Sequence, residues 1–141
     1  MQHPSLHDNF VYAYSVLADR CQIVLHAEYR DSPPVEYTDV VFAEVVAHYF
    51  ECSLQGNVLF EICEEDLKTV LDEYAWLFDR LENYGWPEVP YRDRPELYRI
   101  LLERRIRAYR VRSSYGLDGF VLCSGIEYAK RETKTCPGIE T

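Results

Sequence analysis

Hydrophobic and polar positions alternate along the first part of the chain. Residues 9–17 and 21–29 each carry apolar side chains at every second position, which is the spacing of a strand that buries one face. The three residues between them, ADR, have the length and polarity of a tight turn, so the two runs predict a β-hairpin. In the first strand the alternation places four side chains on one face: Phe10, Tyr12, Tyr14 and Val16.

A longer apolar run, residues 36–62, predicts the central part of a sheet. Residues 39–52 have the composition of one strand. Because that strand is unusually long, we expect a bend or bulge near residues 43–44. The Gly-Asn pair at 56–57 then marks a turn, and residues 58–63 predict the returning strand.

Helical spacing follows the sheet-forming half. Apolar side chains recur every three or four positions over residues 67–81, acidic residues precede them and Gly85 follows them. We therefore predict a helix over residues 66–84. After a loop with two prolines, Pro95 lies in the first turn of a second predicted helix, which runs from residue 93 or 94 to about residue 105.

Two more strands complete the pattern, residues 106–113 and 119–129, joined by a turn that contains glycine. The order of four strands, two helices and two strands predicts an α+β fold. We expect an antiparallel sheet of about six strands with two helices packed on one face. The length of 141 residues is that of one domain. We assign residues 1–130 to this domain and expect residues 131–141 to be a polar, disordered tail.

The charge of the chain limits the classes of partner. The formal net charge is −9, which disfavours binding to nucleic acid or to an anionic membrane and favours a basic protein partner. The sequence has no apolar run of about 18 residues and no leader-like pattern at its start, so we expect a cytoplasmic protein without membrane contact.

Cysteine usage adds little chemistry. Five cysteines stand at positions 21, 52, 63, 123 and 136, and no two are spaced as CxxC. An odd number without metal-ligand spacing argues against a disulfide framework or a zinc knuckle. Four lie in apolar runs, and Cys136 in the polar tail is the thiol that we expect to be exposed. We expect no cofactor and no metal.

Charge is distributed unevenly. Residues 1–91 carry 4 basic and 17 acidic side chains, whereas residues 92–112 carry 8 arginines and 3 acidic residues. Arginine favours bidentate pairing with carboxylate or phosphate. The arginines either pair with the acidic half of the chain, bind an anion or acidic partner, or bind single-stranded nucleic acid by stacking and charge. The anion-binding candidates are Arg99, Arg104, Arg105, Arg107, Arg110 and Arg112.

Histidines offer an alternative hypothesis. His7, His26 and His48, with nearby carboxylates, are of the residue types that bind zinc or iron, so a small metal-dependent enzyme is one alternative. Their spacing matches no recognised ligand motif. The serines and cysteines lie in no GxSxG or papain-like context, so the sequence shows no catalytic signature.

Three segments of the first half carry a family resemblance: LHDN before the hairpin, TDVVFAEVVAHYFE in the long strand, and GNVLFEI after the turn. Over about residues 6–63 the chain resembles a diffuse group of small bacterial proteins, some of which are classed as immunity proteins of polymorphic toxin systems. The resemblance implies a cytoplasmic role in toxin neutralisation or another kind of binding. It brings no catalytic residues with it.

These observations predict a non-catalytic protein-binding domain, of the immunity type, that neutralises a basic toxin domain. Acidic complementarity speeds association and sets specificity, and aromatic side chains anchor interfaces. A self-associating structural domain, as a homodimer, is the second alternative. The predicted contact residues are Glu36, Asp39, Glu44, Glu51, Glu61, Glu64, Glu65, Asp66 and Trp86.

Overall fold

An antiparallel sheet of eight strands dominates the part of the chain that the computed structural model describes, residues 5–31, 33–81 and 85–135. The strands are β1 (Phe10–Leu17), β2 (Gln22–Tyr29), β3 (Glu36–Ala43), β4 (Ala47–Glu51), β5 (Asn57–Glu65), β6 (Arg107–Tyr115), β7 (Asp118–Cys123) and β8 (Gly125–Arg131). The helices of this part are α1 (Leu67–Glu73), α2 (Ala75–Leu81) and α3 (Arg94–Glu103). A short 3₁₀ turn, Ala18–Arg20, joins β1 to β2 and completes the predicted hairpin.

The strand order in the sheet is β4-β7-β6-β5-β1-β2-β3-β8. Along the chain, β4 follows β3 after three residues and β8 follows β7 after one. The segments 36–51 and 118–131 therefore run side by side, with β3 on β8 and β4 on β7. Because the same two segments supply both ends of the strand order, the sheet curves back on itself.

A bulge divides the long strand predicted over residues 39–52 into β3 and β4. Ala43 pairs with Gly125 and Ala47 pairs with Leu122, so three residues on one segment stand opposite two on the other. Glu44, inside the bulge, has a positive φ of 53°, and an extra residue of this kind bends a strand. The bend predicted near residues 43–44 is confirmed, and the prediction of a single strand is wrong.

A second bulge lies in β1 and reverses part of the predicted alternation. The register shifts between Val11 and Ala13, so that Phe10 pairs with Glu28 but Tyr14 pairs with Leu25. Directly paired residues share a face of the sheet, and successive residues of β2 alternate between faces. Phe10 and Tyr14, which the alternation places on one face, therefore lie on opposite faces of the sheet.

The sheet buries apolar side chains on both sides of β7. One core fills the concave side and includes Leu25, Phe42 and Val121; the other lies beneath the helices and includes Phe120 and Leu122. Neighbouring residues of β7 thus alternate between two cores. Each fully buried side chain of this size contributes about 1.5–3 kcal/mol to stability, so both faces fix the position of this strand.

The predicted first helix is two helices. Asp66 caps α1 by accepting the N–H of Thr69 at 3.1 Å, which confirms its start. Tyr74 then separates α1 from α2, with its ring 4.6 Å from the ring of Phe120. Residues 82–84, the predicted end of this helix, lie outside the described residues. The second predicted helix is confirmed as α3, capped by Asp93, which accepts the N–H of Glu96 at 2.9 Å.

The α+β class and the antiparallel sheet are confirmed, but the finer arrangement is wrong. Two bends raise the strand count from about six to eight, since residues 119–129 are also divided, at Ser124. The prediction of two helices on one face of the sheet is wrong: the described part has three helices, which pack over β4, β6 and β7 rather than over a whole face. The remaining strands pack on their own concave side. None of the helices described is long and apolar enough to cross a membrane.

Candidate functional site

The candidate site lies at the edge of β4, one of the two edge strands in the described part of the sheet. Among the described strands, β4 pairs only with β7. On its other side, the N–H of Val45 donates to the carbonyl oxygen of Cys21 at 2.7 Å, just before β2 begins. From residue 47 onward, no described strand pairs with this side of the segment. An unpaired strand edge presents N–H and C=O groups to a partner.

An apolar cavity of about 190 Å³ lies beside this edge. The loop after α2 closes it, since the N–H of Glu88 donates to the carbonyl oxygen of Val46 at 3.2 Å. Trp86 in that loop stacks on Phe78, with ring centroids 5.3 Å apart, so the loop is tied to the helical core. The side chains that line the cavity include Val16, Ile23, Val45, Ala47, His48 and Trp86.

His48 contributes a neutral wall to this cavity. Burial lowers the pKa of its imidazole below the ordinary value, because a buried ring loses the hydration that stabilises its charged form. Its ring lies 5.3 Å from that of Phe50, which in turn lies 5.3 Å from that of Tyr14. Apart from Glu88, the cavity and the rings beside it therefore form a largely apolar surface.

Three exposed carboxylates lie at the ends of β4 and in the loop beside it. Glu44 lies at the bulge before β4, Glu51 is the last residue of β4, and Glu88 lies in the closing loop. None of the three is in an ion pair with the described residues, and Glu51 accepts only a long hydrogen bond, 3.4 Å, from the Tyr49 hydroxyl. The negative charge here is therefore not neutralised by an ion pair within the described residues.

An aromatic side chain that the sequence analysis did not single out lies next to β4. Trp76 on α2 is 53% exposed, and its ring lies 5.8 Å from that of Tyr49 on β4. Exposed tryptophan beside carboxylates is a frequent anchor of protein interfaces. The sequence does contain a signal for it. Trp76 does not fall on the apolar positions that recur every three or four residues in this segment, so the pattern places it away from the core.

The other predicted contact residues lie elsewhere. Asp39 is buried, and Asp66 is engaged as the cap of α1. The structure thus brings only Glu44, Glu51 and Trp86 of the predicted set to the β4 edge. The four remaining carboxylates lie in ion pairs: Glu36 with Lys130, Glu61 with Arg112, Glu64 with Arg107, and Glu65 with Arg110 and Arg112.

The arginines of residues 92–112 are largely paired within the chain. Only Arg104 and Arg105, both exposed, have no ion pair among the described residues. An external anion would have to compete with the carboxylates at the other positions, so anion binding stays a prediction. The pairs are Arg92–Glu96, Arg94–Asp72, Arg94–Asp79, Arg99–Glu103, Arg107–Glu64, Arg110–Glu65, Arg110–Glu73, Arg112–Glu61 and Arg112–Glu65.

The three histidines of the metal hypothesis have different neighbours. His7 contacts Asp8 and the ring of Phe60, whereas His48 lines the cavity at β4. His26 lies on the convex face of β2 and contacts Asp39. Within the described ranges, no three histidine, cysteine or acidic side chains form a group that could hold a metal ion.

His26 lies instead in a chain of hydrogen bonds that sequence spacing did not reveal. Its Nδ1 is 2.8 Å from Oδ1 of Asp39, and its Nε2 is 2.9 Å from Oγ of Ser15. The other carboxylate oxygen of Asp39 accepts from Nε of Arg131 at 3.1 Å. Ser15, His26 and Asp39 lie on the consecutive strands β1, β2 and β3, 11 and 13 residues apart, and the strand register brings them together.

Compared with known protein families, curated proteins and solved structures, the chain shows no match.

Proposed function

We propose that the chain is a protein-binding domain that takes up an extended, basic segment of a partner protein along the free edge of β4. The observation that carries this proposal is the meeting of three features at one place. An unpaired strand edge adjoins an apolar cavity, and exposed carboxylates without ion pairs lie at both ends of β4 and beside the cavity.

Strand addition is the mode of recognition that such an edge supports. An extended segment pairs its backbone with the N–H and C=O groups of the edge strand, and its side chains alternate between the two faces. A cavity of about 190 Å³ is smaller than the roughly 300–1,000 Å³ of small-molecule pockets. It fits one inserted apolar side chain of the bound segment better than a free ligand.

Charge selects the partner. Glu44, Glu51 and Glu88 supply negative charge around β4, so lysine or arginine side chains on the bound segment gain favourable interactions. These charges raise the rate of association. Physiological salt weakens this effect, because it largely screens charges that are more than about 8–10 Å apart. Trp76, beside Tyr49, supplies a large ring for the partner's apolar or cationic side chains.

A second copy of the chain is disfavoured as the occupant. Two β4 edges related by a two-fold axis would bring the carboxylates of both copies to the same interface, where like charges repel. A basic toxin domain has the required chemistry. Residues 6–63 resemble a diffuse group of small bacterial proteins, some of which are classed as immunity proteins, and this kind of partner agrees with that resemblance.

The test is capture of partners from a lysate of the source cells by the tagged chain, at low and at moderate salt, with identification by mass spectrometry. The double variant Glu44→Lys/Glu51→Lys changes the charge at β4. The variant Glu103→Lys/Glu127→Lys makes the same change in charge at exposed positions away from β4. Glu103 lies on α3, and Glu127 lies on β8, the strand at the other end of the strand order. Circular dichroism establishes that each variant is folded.

We expect one basic protein to bind the wild type and the Glu103→Lys/Glu127→Lys variant, to be lost as salt rises, and not to bind the variant changed at β4. Equal loss in both variants would show that net charge alone attracts the partner. Undiminished capture by the Glu44→Lys/Glu51→Lys variant would place the interface elsewhere. A stable homodimer in light scattering, with no captured partner, would favour the self-association alternative.

A further inference from the structure

We propose that Ser15 is an activated nucleophile, with His26 as its general base and Asp39 as the group that orients His26. The three side chains form an unbroken series of hydrogen bonds, from Ser15 Oγ to Nε2 of His26 at 2.9 Å and from Nδ1 of His26 to Asp39 at 2.8 Å. A nucleophile within hydrogen-bond reach of a base, itself oriented by a third group, is the arrangement that activates serine hydroxyls. This inference is independent of the β4 edge.

The bulge in β1 creates the arrangement. Ser15 pairs with Val24, and His26 lies two residues further along the same face of β2, within reach of a side chain at the diagonal position. Without the extra residue between Val11 and Ala13, Ser15 would stand opposite Ile23, whose side chain is in the concave core. The bulge therefore places the Ser15 hydroxyl on the same face of the sheet as the imidazole of His26.

The hydrogen-bond partners fix the tautomer of His26. A carboxylate only accepts hydrogen bonds, so the proton of the neutral imidazole lies on Nδ1, which donates to Asp39. Nε2 is then the acceptor for the Ser15 hydroxyl. This is the orientation in which the ring can take the hydroxyl proton during attack.

Burial is graded along the series. Asp39 and His26 are 5% and 4% exposed, whereas Ser15 is only partly buried. The end of the described chain covers the acidic end: Arg131 donates to Asp39, and the N–H of Thr135 donates to the Tyr12 hydroxyl at 2.9 Å. The orienting groups are thus shielded from water, and the hydroxyl is the member that a reagent can reach.

The reaction that follows is acyl or phosphonyl transfer from an activated electrophile, such as an aryl ester. Ser15 Oγ forms a bond to the carbonyl carbon and passes its proton to Nε2 of His26. The bond to the leaving group then breaks, and the leaving oxygen takes the proton from Nε2. In the acyl case, a water molecule gives a proton to Nε2 of His26 and attacks the carbonyl carbon of the Ser15 ester. The bond to Oγ breaks, the carboxylic acid is released, and Oγ takes the proton back from Nε2.

The test is reaction of the full chain with an alkyl fluorophosphonate, which transfers its phosphonyl group to activated serines and releases hydrogen fluoride. Intact-mass and peptide mass spectrometry measure the rate and position of labelling. We expect a single adduct, at Ser15. His26→Gln should lower its rate at least about 100-fold, the lower range for loss of a general base, and Asp39→Asn should lower it about tenfold or more.

Two controls separate reactivity from structure. Ser114→Ala removes an exposed serine of β6 and should leave the adduct unchanged, whereas Ser15→Ala should abolish it. If the changes at His26 or Asp39 unfold the chain, the wild type is labelled in buffer and in urea instead. Only the folded chain holds Ser15 next to His26, so activation of Ser15 requires the folded state. Labelling confined to the folded state supports the proposal. No adduct at Ser15, or one formed equally fast in urea or in the folded His26→Gln variant, overturns it.

Discussion

Glu73 on α1 holds Arg110 on β6 through two parallel hydrogen bonds, from Nη1 to Oε2 at 2.6 Å and from Nη2 to Oε1 at 2.7 Å. Nη1 also donates to Glu65 at 3.0 Å, and the guanidinium lies 5.5 Å from the centre of the Tyr74 ring. Arg110 is only 7% exposed. This pair therefore ties the helices to the sheet at a point where the charge of the arginine is shielded from water.

Removal of the Glu73 carboxylate should destabilise the fold. Glu73→Gln leaves a buried guanidinium with Glu65 as its remaining acidic partner, so we expect a loss of about 1–3 kcal/mol, reduced by that partner and by the partial exposure of Glu73. Urea unfolding at neutral pH measures it. The matched control is Glu103→Gln, which breaks the exposed pair with Arg99 and should cost less than about 0.5 kcal/mol. Equal costs would contradict this account of Arg110.

The same pair predicts a dependence on pH. The hydrogen bonds from Arg110 lower the pKa of Glu73 in the folded protein. A group with a lowered folded pKa stabilises the fold fully above its unfolded pKa, about 4.3, and loses that contribution as pH falls through the folded value. The difference in unfolding free energy between wild type and Glu73→Gln should therefore shrink below about pH 4. A constant difference between pH 7 and pH 3 would contradict it.

Gly119 allows β7 to approach β4. A Cβ atom at this position would lie 1.8 Å from the carbonyl oxygen of Tyr49, and its φ of +154° is one that other residues rarely adopt. Gly119→Ala should therefore cost at least about 3 kcal/mol or prevent folding. Gly125→Ala on β8 is the control, because nothing lies within 4 Å of its Cβ position; we expect less than about 1 kcal/mol. Thermal unfolding of both variants measures the two costs, and a cost for Gly119→Ala as small as that for Gly125→Ala would contradict this account.

The buried side chain of Asn57 joins β1 to two connections between strands, those that contain Leu54 and Leu117. Its Oδ1 accepts from the N–H groups of Leu54 and Leu117, and its Nδ2 donates to the carbonyl oxygens of Leu54 and Val11. Asn57→Ala leaves these backbone groups without that partner, and we expect a loss of about 3 kcal/mol. Ser114→Ala, which removes one exposed 3.3 Å bond to Val58, should change stability by less than about 0.5 kcal/mol. A similar small effect at Asn57 would contradict the role assigned to it.

Thiol reactivity should follow burial. Cys123 is fully buried, and burial raises its pKa to about 12, so little thiolate forms at pH 8. Cys21 and Cys52 are exposed. Alkylation with iodoacetamide, read by peptide mass spectrometry, should modify both within minutes and modify Cys123 only after denaturation. Rapid modification of Cys123 in the folded chain would show that β7 opens readily.

Local features of the fold could be predicted from the sequence. The β1–β2 hairpin, the bend near Glu44, and the helix starts at Asp66 and Asp93 each depend on residues close together in the chain. Alternation and capping chemistry are sufficient to find them.

Features that depend on strand register could not be predicted in this way. The bulge in β1 reverses the faces of Phe10 and Tyr14, and nothing in the local pattern marks the extra residue. The contact of His26 with Asp39 follows from the pairing of β2 with β3, and single-sequence patterns do not specify that register. For the same reason, the predicted set of contact residues contains both Glu44, which has no ion pair among the described residues, and Glu36, which is paired with Lys130.

The most direct test of the proposed function is amide hydrogen exchange of the chain with and without the captured basic partner. The two edge strands, β4 and β8, provide an internal comparison because only β4 lies beside the cavity and the exposed carboxylates. We predict that the partner slows exchange at residues 47–51 and leaves residues 125–131 unchanged. Protection at β8 or on α3, with exchange at β4 unchanged, would contradict the assignment of the β4 edge as the binding site.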